Sequence, residues 1–257
     1  MRDIAWSRTA GSLASDGVYM KAERTIDGVN HYLKLSRYDS YRGVHGHESV
    51  NELIACRLGK LLGFSVPDGI LEKCLVRIDG KDHEAQVFAA KYYKAAGSRA
   101  AFEDFYADNR ASDEESPLDL CKRFGWAGYI YKMFIFDYLI INRDRHGANL
   151  EVLKNGGMRL SPYLDNGLSF VCSCSSDEEA AAFDISEDRP VNNFIGDRRL
   201  RLNLGRIDKK VRFNELKESD ESELLSGLQG VLPDRFLSVI WSIIWSRWQD
   251  VAKFRVA

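Results

Sequence analysis

Nowhere does the sequence reach the roughly 18 uninterrupted apolar residues of a membrane span. Its first residues, "MRDIAWSRTAGSLASDG", also lack the apolar core of a secretory signal. No polybasic or lipidation signal appears, so no membrane attachment is expected. The expected compartment is the cytoplasm, with a secreted effector as the alternative. Cysteine is sparse, at positions 56, 74, 121, 172 and 174. The number is odd, and Cys172-Ser173-Cys174 is too tight for a zinc knuckle and has no second pair beside it. His45 and His47 lack a third ligand. Free thiols in a reducing compartment are therefore expected, and a structural metal site is not. A basic excess is missing as well: 36 Lys and Arg stand against 38 Asp and Glu, a formal net charge of −2. That excludes the usual charge balance of a general nucleic-acid binder, so no direct nucleic-acid binding is expected. Two locally positive stretches, "DRRLRL" at 197–202 and "RIDKKVRF" at 206–213, read as solvated surface.

What is present suits a folded protein with a sizeable core. The 257 residues are 45% hydrophobic and 29% charged, enough for one domain or for two lobes around a cleft. The first ~90 residues alternate like strands. "GVYMKAE" and "NHYLKLS" flank an Asp27-Gly28 hairpin signal, and two further runs flank Asp79-Gly80. Between them "HESVNELIACRLGKLLGF" has helical spacing, with Gly63 placed to end it. The polar, acidic stretch 94–117 reads as a linker or lobe-crossing loop. From Leu118 the pattern is mainly helical. "GWAGYIYKMFIFDYLII" is apolar on nearly all sides and should be buried. A hairpin follows over "NLEVLK", "NGG" and "MRLSP". In the last helix, Pro233 suits the first turn, and Phe236, Ile240, Trp241, Ile244 and Trp248 form a stripe expected to pack internally. The expected class is α+β in a two-lobed protein-kinase-like fold. A small β-rich lobe with one helix would span 1–93, and a larger, mainly helical lobe 94–257.

Within that frame, several residues form a set suited to phosphoryl transfer. Such chemistry needs a carboxylate to orient the attacking hydroxyl, oxygen ligands for magnesium, and a cation on the phosphates with an acid to hold it. Asp144 and Asn149 have the Asp-x4-Asn spacing of a base and a metal-binding amide. Sixteen residues on, Asp165-Asn166-Gly167 has the Asp-x-Gly form of a second metal ligand, across a hairpin that returns to the same edge. Lys34 lies mid-strand between Leu33 and Leu35, so alternation points it away from those leucines. Glu52, early in the only helix of the first lobe, is its expected partner. Glu48, at the helix start, has a sufficient role in the cap or dipole. Backbone around Gly11 and Ser12 is placed to cradle phosphate, although neither a Gly-x-Gly-x-x-Gly nor a Gly-Lys-Ser/Thr motif is present, and a plain hairpin turn also accounts for these glycines.

Three blocks together resemble the HipA-like serine/threonine kinases, which include bacterial toxin kinases and their stand-alone relatives. They are "YLKLS" with "ESVNELIACRLGKLLGFSVP", then "INRDRHGANL", then "LSPYLDNGLSF", covering about half the chain in order. The second block is similar to an Asp-x-His-x-x-Asn motif shared with phosphoinositide kinases. The resemblance implies ATP and Mg2+ as cofactors, with Asp144 as base and Asn149 and Asp165 as metal ligands. It implies that Lys34 contacts the ATP phosphates and that Glu52 stabilises it. His146 would have a supporting role, and the backbone from Lys91 to Tyr93 would form the adenine hinge. The implied partners are a protein substrate and an antitoxin or regulatory protein. Lys34 comes so early that the additional N-terminal subdomain of full-length toxins is expected to be absent, which weakens the expectation of an antitoxin. In the family a serine of the phosphate-covering loop can be autophosphorylated, and Ser12 and Ser15 both occupy that region. The alternatives are a phosphoinositide or small-molecule kinase, and an inactive nucleotide-binding pseudokinase.

Overall fold

The computed structural model describes residues 2–5, 21–92 and 98–256. Gly11, Ser12, Ser15 and Tyr93 lie outside the described residues. In the N-terminal part, β1 (Arg2–Ala5), β2 (Lys21–Ile26), β3 (Val29–Leu35), β6 (Gly69–Ile78) and β7 (Lys81–Lys91) form one sheet, ordered β1-β6-β7-β3-β2. Only the β1–β6 pairing is parallel. The sheet curls far enough for the Arg24 guanidinium on one edge to donate to the Asp3 carbonyl on the other at 2.5 Å. Both hairpins turn on left-handed Asp-Gly pairs, Asp27-Gly28 and Asp79-Gly80. This is the two-residue geometry whose twist matches that of the strands. A short hairpin, β4 (Arg37–Asp39) and β5 (Gly43–His45), leads into helix α1 (Glu48–Leu61).

The remainder runs through β8 (Ser98–Ala101), α2 (Phe102–Asn109), α3 (Pro117–Arg123), α4 (Ala127–Ile140) and β9 (Asp144–Arg145). Next come the hairpin β10 (Glu151–Lys154) and β11 (Met158–Leu160), then α5 (Asp177–Ala181) and β12 (Asn192–Asn193). Three helices complete the chain: α6 (Leu200–Leu204), α7 (Glu221–Leu224) and α8 (Asp234–Val256). The molecule is thus a β-rich N-terminal part with one long helix joined to a larger, mainly helical part, the two-lobed arrangement expected of a kinase-like fold. No helix among the described residues is long and apolar enough to cross a membrane.

The stretch 94–117 differs from the linker expected of its composition. It contains β8, which pairs antiparallel with β10, and α2, which buries Phe102 and Phe105. Two phenylalanines three residues apart suffice to anchor a short amphipathic helix, and the average polarity of the window conceals them. Ser116 then caps α3 by accepting from the Asp119 amide, with Pro117 in the first turn. At the last helix, Pro233 immediately precedes the first helical residue, Asp234.

Two cores hold the molecule. One lies behind the sheet, around Leu33, Leu35, Val76 and Val87. The other joins α1 to the helical part: Ile54 and Leu58 share it with Phe134, Phe136, Leu224 and Ile240. Each fully buried side chain of this size stabilises the fold by about 1.5–3 kcal/mol relative to exposure. The Phe236–Trp248 stripe on α8 packs inward as expected, with every member buried. All five cysteines are buried and free.

Candidate active site

Lys34 lies on β3 between Leu33 and Leu35, each 1% exposed on the opposite face of the sheet. Its ammonium donates to Glu52 Oε1 at 2.6 Å and pairs with Asp165 Oδ1 at 2.8 Å. The structure thus brings Lys34 and Glu52, 18 positions apart, to Asp165, over 100 positions further on. Glu48 serves differently, buried at the start of α1 and paired with Arg37 at 2.8 Å. Lys21, on β2, also reaches Asp165, at 3.1 Å from Oδ1 and 3.2 Å from Oδ2. Burial alone would lower the Lys34 ammonium's pKa, but the carboxylates of Asp165 and Glu52 outweigh it and hold that pKa above its ordinary value. Burial likewise opposes ionisation of Asp165, yet Lys34 and Lys21 keep its carboxyl below the usual range.

The second half of the site starts where α4 ends. Ile141 stops the helix with φ +50°, an unfavourable conformation for a β-branched residue. The chain then turns through Asn142, whose Oδ1 accepts from the Asp144 amide at 3.1 Å. Asp144 Oδ1 accepts from Asn192 Nδ2 at 2.8 Å, on the neighbouring strand β12. His146 Nδ1 accepts the Ala148 amide at 3.2 Å, so in the neutral ring the proton lies on Nε2. That atom is 3.7 Å from Asp144 Oδ2, beyond hydrogen-bond range. Asn149 donates from Nδ2 to the Asp144 carbonyl at 2.8 Å, which points its Oδ1 away from that bond. Gly147 is required by close approach, since a Cβ there would lie 2.5 Å from Glu103 Cβ on α2.

One buried residue locks this loop to the Asp165 loop. Arg145 is 1% exposed and forms an ion pair with Asp137 of α4 at 2.8 Å. It also donates to the carbonyls of Leu164 at 2.6 Å and Asn149 at 3.3 Å, and to Asn166 Oδ1 at 2.8 Å. The two loops are further joined by the Arg143 amide donating to the Leu168 carbonyl at 3.0 Å. Asp165 itself has φ +54°. Two residues on, a Cβ at position 167 would lie 3.1 Å from Glu48 Cβ, so glycine allows the loop to sit against α1. Asn51 on α1 completes the contact by donating to the carbonyls of Gly167 and Ser169 at 3.0 and 3.1 Å.

Lys91 does not join this cluster. Its amide donates to the Asp68 carbonyl at 2.6 Å and its ammonium pairs with the Asp68 carboxylate at 2.6 Å. In this structure the Lys91 N–H is therefore engaged and not open to an adenine edge. Beside it Tyr92 stacks on Tyr32, ring centroids 4.6 Å apart.

Sequence reasoning missed Lys21, Asp137, Arg145, Asn166 and Asn192. Two of these had a signal. Counting outward from the two-residue turn at Asp27-Gly28 sets Lys21 directly opposite Lys34, the register observed. Asp137 is a lone acid inside "MFIFDYLII", and a buried carboxylate implies a buried cation. Asn192 reaches Asp144 from 48 positions away, with no local pattern to announce it.

No family model matches the sequence, and no curated protein matches it. Solved structures do. The Helicobacter pylori proinflammatory kinase CtkA superposes with a TM-score of 0.62 at 12% identity, covering 99% of this chain and 96% of that one. HipA from the Shewanella oneidensis MR-1 HipA, HipB and operator DNA complex gives 0.48 at 16% identity, over 98% of this chain and 70% of the other. The PAN3 pseudokinase mutant of Neurospora crassa gives 0.37 at 12% identity, over 88% and 51%. The first of these shows the fold alone: this chain shares the two-lobed, kinase-like fold of that structure.

Proposed function

We propose that this protein is an ATP- and magnesium-dependent kinase that transfers the γ-phosphoryl group to a Ser or Thr hydroxyl of a protein. The observation that carries the reading is the joining of Lys34, Glu52 and Asp165 at 2.6 and 2.8 Å, with the Asp144 loop tied to the Asp165 loop through Arg145. In this reading residues 1–93 cover the nucleotide and residues 94–257 carry both loops. Backbone around Gly11 and Ser12 cradles phosphate, and the segment through Tyr93 borders the adenine.

Asp144 receives the acceptor hydroxyl. Asn192 fixes Oδ1, leaving Oδ2 to orient the substrate O–H, and His146 braces the turn that presents it. Lys34 grips the phosphates while Glu52 holds the ammonium on the sheet face. The donor set suits a hard divalent cation: the Asp165 carboxylate and Asn149 Oδ1 are both oxygen ligands. Among the described residues no group of three or more His, Cys, Asp or Glu could hold a metal. A cation here would therefore take its remaining ligands from the nucleotide and water. When bound, Mg2+ supplies neutralisation of charge on the transferring phosphate. The wider role follows the HipA-like resemblance: a kinase acting on a protein substrate, with a toxin role and an antitoxin or regulatory partner as the weaker part of that expectation.

A second reading, a nucleotide-binding module without transfer, is favoured by one observation: Asp165 is already neutralised by two lysines. Radiolabelled ATP separates the two. Label on the chain or on added protein is expected, and Asp144→Asn should cut its rate at least about 100-fold while leaving the thermal melt in place. Undiminished transfer by that variant would remove Asp144 from its role. Tight ATP binding with no label in the unmodified chain would replace the kinase by the binding module.

A further inference from the structure

We infer that Lys21 is a second phosphate-binding cation, which passes from Asp165 to the terminal phosphate of the nucleotide when the site fills. This rests on the nucleotide reading above and extends it to a residue outside the predicted set.

The placement is specific. Lys21 and Lys34 are direct partners across the β2–β3 ladder, so both side chains leave the same face of the sheet. Both ammoniums contact one atom, Asp165 Oδ1, at 3.1 and 2.8 Å, and therefore lie within about 6 Å of each other. Like charges set directly opposite each other cost stability in a sheet. Balancing Asp165 would need only one of them, and Lys34 is the closer and less exposed, at 15% against 29% for Lys21. The second lysine is explained by a ligand with more than one negative group along its length. A polyphosphate is such a ligand, whereas a single carboxylate is not.

The two lysines are also held differently. Lys34 has Glu52 behind it at 2.6 Å, an anchor that stays when Asp165 turns to another cation. Asp165 is the only acid bonded to Lys21 among the described residues. A divalent cation taken by Asp165 would therefore leave Lys21 without an anion and repelled by the newcomer. The nearest available anion would be the phosphate that accompanies the metal. Lys34 is thus a fixed grip and Lys21 an exchangeable one.

Calorimetric titration with magnesium ATP, ADP and AMP tests this, with the Asp144→Asn chain used so that no turnover occurs. Lys21→Gln should weaken ATP binding about tenfold, ADP binding less, and AMP binding not at all. Lys21→Arg should recover most of the loss. A readout independent of substitution is acylation of lysines in the unmodified chain, followed by mass spectrometry: ATP should shield Lys21 and AMP should not. Equal affinity of Lys21→Gln and its parent for ATP, or equal losses for ATP and AMP, would overturn the assignment while leaving the kinase reading standing. Failure of the unmodified chain to bind ATP at all would overturn both.

Discussion

The Arg145–Asp137 pair and the Lys34–Asp165 pair stand on either side of one loop, and they differ in what surrounds them. Arg145 and Asp137 are 1% and 0% exposed, and the guanidinium spends its remaining donors on two carbonyls and an amide oxygen. Asn142 supplies a further bond to Asp137 at 3.0 Å. Nothing in that network has a free side from which a ligand could enter. The Lys34 cluster is looser: Asp165 keeps 24% of its side chain exposed, and Lys21 29%. One network is a fastening and the other is a socket. A kinase site of the kind proposed, which would hold two loops together yet exchange its counter-ions with each turnover, needs both kinds.

That contrast breaks most visibly at Arg145. Arg145→Met leaves the Asp137 carboxylate buried without a cation and frees the Leu164 carbonyl. The expected loss is about 3–5 kcal/mol of folding stability, read from urea unfolding curves. A loss below about 1 kcal/mol would mean that the buried pair is not the fastening described here. Glu52→Gln comes next in size. It removes the fixed anchor but leaves Lys34 on Asp165, so phosphoryl transfer should fall about tenfold while stability changes by less than about 1 kcal/mol. Transfer unchanged in that variant would separate Glu52 from the grip on Lys34.

The smallest effect concerns pH. Folding holds the Asp165 carboxyl below its ordinary range. The ion pair therefore contributes fully above about pH 4 and is lost as acid carries the pH below that, towards the lowered folded value. Stability should accordingly fall more steeply between about pH 5 and 3 in the unmodified chain than in Asp165→Asn. Identical slopes would show that Asp165 is not held ionised by the two lysines.

Much of this was legible in the sequence because it rests on local rules. Both Asp-Gly hairpins, the helix closed by Gly63, the buried α4 and the strand alternation that turns Lys34 from its leucines all follow from short-range pattern. The pairing of Lys34 with Glu52 could be read because strand and helix follow one another closely. What stayed hidden depends on distant partners. Arg145 stood in plain view between Asp144 and Asn149, but its role is set by Asp137 before it and Leu164 after it. The segment holding α2 was obscured for another reason: Phe102 and Phe105 are outnumbered by the charged residues around them, and composition averages them away.

Helix α1 has one more consequence, for the order in which the molecule can assemble. It packs against β3, β6 and β7 of the sheet, yet the core it enters also takes in Phe134, Leu224 and Ile240 of the later part. Arg57 donates to the carbonyls of Leu224 and Ser226, 167 and 169 positions downstream. Synthesis from the N-terminus would let the helix seat on its sheet first and leave the rest of that core uncovered until most of the chain had emerged. Contacts of such long separation are formed late and slow the overall rate. The helix that positions Glu52 can therefore seat on its sheet early, but its cover is complete only when the later helices arrive.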